Sequence, residues 1–215
     1  MQLMEVSLMP LLNIEELTFM KLMIIKDLEK TLKIGYEHQY RNILSKIVSN
    51  QKRFVKKSLP KDVSEDLYRY DALAAGLANY LINLFEVFGE SAVLNAKKIF
   101  EENGSKWGKK LKKRLFIQDD IVDINYVIKN LYINIPELDY MDITNDDLVW
   151  HFSKQGNSSV NEGFGKFNSR FYAIKTAWLH SFTKSFTSQY ASIFEKKSED
   201  DNEIITSIAL KENIE

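Results

Sequence analysis

Cysteine is absent from the chain, which excludes disulfides and thiolate-held zinc and points to a reducing compartment. Proline and glycine are scarce, at 3 and 8 residues, so long elements with few tight turns are expected. No run of 18 uncharged apolar residues occurs, and no transmembrane span is expected. The apolar opening, residues 1–10, carries Glu5 and no basic region, unlike a secretory signal. An excess of one charge is also lacking. A formal net charge of -1 is not the footprint of a nucleic-acid-binding domain. Histidine is confined to His38, His151 and His180, too few to mark a metal site. What remains is 215 residues, 45% of them hydrophobic, enough to bury a core.

The apolar residues recur at helical spacing. Asn13 with Glu16 reads as a cap and its capping-box partner. Leu17, Met20, Ile24, Leu28 and Leu32 follow on one face, then Tyr36, Tyr40, Ile43, Ile47 and Phe54, with Gly35 either between two helices or inside one. After a loop at 56–61, Asp62 and Glu65 repeat the capping pattern. Leu67, Tyr70, Ala74, Leu77, Leu81, Leu84 and Phe88 then form a stripe that stops at Gly89. Ser91 is expected to cap a third helix carrying Val93, Ala96, Phe100, Gly104, Trp107 or Gly108, Leu111 and Leu115. A fourth segment, 120–131, places Ile124, Val127, Ile128 and Leu131 together, and Pro136 closes it.

The texture then changes. Residues 138–144 and 148–153, around the turn 145–147, read as a β-hairpin. A polar loop spans 156–169. Helical spacing returns at Phe171, Ile174, Trp178, Phe182 and Phe186, and 190–195 with 204–210 read as a second hairpin. The expected fold is α+β: an antiparallel sheet of two hairpins with helices packed on one face. Residues 1–60 form an N-terminal helical extension and 61–215 the α+β domain.

Few residues announce chemistry. Gly104 and Gly108 share a helix face, which suggests close approach of another backbone or of a ligand, or else a helix break. Lys106, Lys109, Lys110, Lys112, Lys113 and Arg114 suit an acidic partner, lipid headgroups or phosphate, or else simply a solvated face. Gly165-Lys166 fails the P-loop pattern because Val160 and Phe167 stand where glycine and Ser or Thr are needed. Glu195 and Lys197 resemble the end of a nuclease strand, without an acidic partner. Asp139, Asp142, Asp146 and Asp147 miss the EF-hand spacing. The late aromatics, Phe164 to Phe186, read as core or as the wall of an apolar cavity.

In order of elements, residues 67–210 resemble the superfamily that unites TRAPP (transport protein particle) small subunits with four-vinyl-reductase-type ligand-binding domains. The resemblance rests on the helix Tyr70 to Phe88, the run Asn103-Gly104-Ser105-Lys106-Trp107-Gly108-Lys109-Lys110-Leu111, the hairpin Tyr140 to Phe152, the helix Phe171 to Phe186 and the closing strand 202–208. The cysteines of some branches have no counterpart here. The resemblance implies a non-catalytic scaffold that assembles through helical faces, as a homo- or hetero-oligomer with protein partners. Its alternatives are a sensor or carrier of an apolar small ligand, and an enzyme acting on a small molecule. No catalytic, cofactor-binding or metal-binding residue is expected. Interface or pocket candidates are Tyr70, Leu77, Leu81, Gly104, Trp107, Gly108, Trp178 and Phe182. The expected setting is cytoplasmic, without nucleic acid and without a transmembrane segment, peripheral membrane association being compatible with it.

Overall fold

The computed structural model describes residues 14–37, 65–115, 123–133 and 169–189 with their side chains. It gives the backbone alone for 38–51, 64, 121–122, 140–142, 149–153, 168, 190–200 and 203–212. Among the described residues the helices are α1 (Ile14–Gln51), α2 (Ser64–Phe88), α3 (Glu90–Arg114), α4 (Ile121–Leu131) and α5 (Asn168–Phe186).

Each helix buries the stripe its spacing sets apart. On α1, Leu17, Met20, Ile24, Leu28, Leu32 and Tyr36 are all inside, and Gly35 lies within one continuous helix. Full burial of a leucine or isoleucine contributes roughly 1.5–3 kcal/mol, so one such stripe outweighs the modest helix propensity of the isoleucines that α1 carries. On α2 the stripe from Tyr70 to Leu84 is inside, while Leu67, at its start, is 53% exposed. α2 and α3 are joined at Gly89 alone, whose φ of 59° is costly for a residue with a side chain. Ser91 does not cap α3. It lies in the first turn, and its hydroxyl donates to the Phe88 carbonyl at 2.9 Å.

Contacts along the helices fix their directions. Glu16 meets Arg114, Asp27 meets Lys106, and the Tyr36 hydroxyl donates to the Ala92 carbonyl at 2.6 Å. As numbers rise on α1 they fall on α3, so the two are antiparallel. Glu90 faces Arg170, Asn103 faces Trp178, and Ser105 faces Ser185, so α3 and α5 run parallel. α2 joins this core through the edge-on ring contacts Tyr36–Tyr80 and Phe85–Phe171, and α4 packs against α1 through its apolar face.

The expected α+β class is corrected. Of the residues described with side chains, 93% are helical and none lies in a strand, and their core is closed by helix against helix. A sheet with helices layered on one face is not the frame of this body. Backbone pairing does run antiparallel along β1 (Tyr140–Asp142), β2 (Val149–Ser153), β3 (Tyr190–Asp200) and β4 (Glu203–Glu212), in the order β1-β2-β4-β3. The physical reason for the correction is that the described apolar surface is closed by helices alone: α1 supplies a fully buried stripe between α2, α3 and α4. The boundary at 60/61, the caps at Asn13 and Asp62, the turn 145–147 and the loop with Gly163, Gly165 and Lys166 lie outside the described residues.

Candidate functional site

All eight candidate residues are buried, and they fall into two groups. Tyr70, Leu77 and Leu81 line the inner face of α2. Gly104, Trp107, Gly108, Trp178 and Phe182 come together where α3 crosses α5. The glycine pair is there because backbone meets backbone. A methyl at Gly104 would run into the Trp178 carbonyl oxygen, and one at Gly108 would lie 2.5 Å from the Phe182 carbonyl oxygen and 3.1 Å from the Phe186 nitrogen. The close approach is therefore helix on helix, and α3 continues through both glycines without a break. Along α5 the rings of Trp178, Phe182 and Phe186 stack at centroid distances of 4.9 and 5.5 Å.

Beside this seam lies a polar cluster that joins α1, α3 and α5. Trp178 is fully buried, and its indole Nε1 donates to Asn103 Oδ1 at 2.8 Å. Asn103 Nδ2 in turn donates to Asp27 Oδ2 at 2.9 Å. The same carboxylate accepts from Trp107 Nε1 at 3.1 Å and from Lys106 Nζ at 2.8 and 2.9 Å. A buried asparagine with an unmatched amide would be costly. Here both its ends are used, and the chain of donors finishes on a charged acceptor, where hydrogen bonds are stronger. Asp27 is held by an ammonium, an amide and an indole at once. Its oxygens are occupied by fixed donors, which suits a clasp between helices.

Sequence reasoning missed Asp27 and Asn103. The available signal was a mid-helix asparagine directly before the glycine pair, since asparagine is a poor helix former that needs a reason to be there. Asp27 carried no comparable mark, because it adjoins Leu28 on the stripe and reads as an ordinary flanking acid.

Away from this cluster, two titratable groups among the described residues are displaced. Burial raises the Asp71 carboxyl above its ordinary value, and the charge of Lys21 partly offsets this. Burial, reinforced by the carboxylate of Glu37, pushes the Tyr80 hydroxyl up to about 12. His180 is exposed, and the side chains of His38 and His151 lie outside the described ones. Among the described residues, no group of three or more metal-ligating side chains is assembled, and no helix is long and apolar enough to cross a membrane. No protein-family model matches the sequence, and comparison with curated proteins and with solved structures finds no match.

Proposed function

We propose that the chain is a non-catalytic interaction module that assembles with a second copy of itself through the outward face of α1. The observation that carries this reading is a stripe of large apolar residues turned away from the core. Phe19, Met23 and Ile34 are 48%, 37% and 49% exposed. They share one helix face with Glu15, Lys26, Lys30 and Glu37, opposite the buried stripe that starts at Leu17. Single exposed apolar residues are ordinary, but several aligned on one long helix favour a protein contact.

The charges on this face suit an identical partner. An antiparallel copy centred near Met23 brings Glu15 opposite Lys30 and Phe19 opposite the alkyl stem of Lys26. Such a contact is isologous, each residue meeting its counterpart across a two-fold axis. This is the general form of the scaffold role that the TRAPP resemblance implies, carried by helices. The polar cluster supports it, because its one carboxylate is engaged between helices.

Light scattering after size exclusion tests the reading over a range of concentrations. The wild-type chain is expected to be dimeric, and the double variant F19K/M23K monomeric with unchanged helical circular dichroism. A wild-type chain that stays monomeric at the highest attainable concentration overturns the proposal.

A further inference from the structure

We propose that the basic end of α3, with the adjoining end of α5, is a docking face for an anionic lipid bilayer. The two halves of α3 are built differently. In the first half each exposed lysine has a carboxylate one turn on: Lys97 with Glu101, and Lys98 with Glu102. From Asn103 to Arg114 there is no acidic residue at all, and α5 has none along its whole length. Lys106 and Arg114 are paired across to Asp27 and Glu16 on α1. Lys109, Lys112, Lys113 and, on α5, Lys184 are exposed, and no carboxylate among the described residues pairs with them. Asp119 and Asp120, which follow in the sequence, lie outside the described residues.

A solvated helix face is ordinarily laced with opposite charges at i,i+4, as the first half of α3 is. Compensation of the helix dipole accounts for cations in the last turn only. Lys109 and Lys110 come before that turn, so the basic arc is longer than the dipole requires. In a chain of net charge -1, this concentration of one sign leaves the acids elsewhere and gives the molecule a positive side.

The chemistry of the face favours a bilayer over other polyanions. Its free cations are all lysine, flexible point charges that suit a fluid plane of headgroups better than bidentate recognition of a fixed phosphate. The nearby rings are unavailable for stacking on bases, because Trp107, Phe182 and Phe186 are buried and Lys110 covers Trp107 at 4.1 Å. No exposed large apolar residue of α3 lies between Asn103 and Arg114 to anchor a protein partner or to insert into lipid. What is left is surface attraction of lysines to anionic headgroups, which acts over about a Debye length.

Co-sedimentation of the full chain with vesicles tests this. One set is phosphatidylcholine alone, and the other is phosphatidylcholine mixed with phosphatidylserine. Binding is expected only to the phosphatidylserine vesicles, falling steeply as salt is raised. The variant K109E/K113E is expected to lower the partition at least about tenfold, from roughly fivefold per lysine. K97Q/K98Q, on the self-neutralised half of the same helix, is expected to leave it unchanged. Thermal melting confirms that each variant folds, and K109Q/K112Q replaces the charge reversal if that variant melts early. Equal binding to both vesicle sets, no binding to either, indifference to the lysine substitutions, or tighter retention of duplex DNA than of phosphatidylserine vesicles each overturns the proposal.

Discussion

Glycines on neighbouring helices answer to different forces, and alanine substitution separates them. At Gly104 an added methyl meets the backbone carbonyl of Trp178, which cannot rotate away. Gly104→Ala is expected to lower stability by about 1–3 kcal/mol through overpacking, reversing the roughly 1 kcal/mol that alanine otherwise gains in a helix. At Gly76 nothing lies within 4 Å of the new methyl, so Gly76→Ala is expected to raise stability by about that 1 kcal/mol. Urea unfolding of the two variants side by side checks both signs. The polar clasp makes a similar point. Trp178→Phe keeps most of the ring but leaves Asn103 Oδ1 buried without its donor, at an expected cost of about 1–3 kcal/mol in the same unfolding experiment.

The helices themselves were largely legible in the sequence, because a buried stripe at 3.6-residue spacing leaves a strong mark. The stripe of α1 and that of α4 name the buried residues directly. The stop at Gly89 was legible for the same reason, since few residues accept its φ. Gly89→Ala is therefore expected to lower the melting temperature although the site is roomy, the strain lying in the backbone. What the periodicity did not reveal was which stripe faces which. That α1 belongs to the core, and that α3 runs parallel to α5, depends on contacts between residues far apart in the chain. The glycine pair did signal a close approach, but the spacing alone does not say that the approaching atoms belong to Trp178 and Phe182. The apolar runs after residue 138 suggested a sheet as the organising layer, whereas the described core is made by helices.

For the molecule as a whole, pH sets limits that the two displaced groups define. The folded Asp71 carboxyl has a raised value, so the fold holds its proton more tightly than the unfolded chain does. Stability contributed by this group is present below the ordinary value of 3.8 and is lost as pH rises through the raised one. Asp71→Asn removes that loss, so its advantage in melting temperature over the wild type is expected to be greater at pH 7 than at pH 3. Tyr80 acts at the other end. Its folded value of about 12 exceeds the ordinary 10.0, so stability falls as pH rises from 10.0 through that interval. Tyr80→Phe is expected to flatten the decline, as read by circular dichroism across the alkaline range.

The parallel seam between α3 and α5 also governs the order in which the chain gathers itself. Asn103 and Trp178, which hydrogen bond across it, are 75 residues apart in sequence. A growing chain on the ribosome therefore presents Gly104 and Gly108 long before the segment they receive has been made. The amino-terminal helices must wait, partly uncovered, until synthesis has passed Phe186, and closing so long a loop makes this docking a late step. During that wait the apolar faces of α1 and α3 are where chaperone capture and misassembly concentrate.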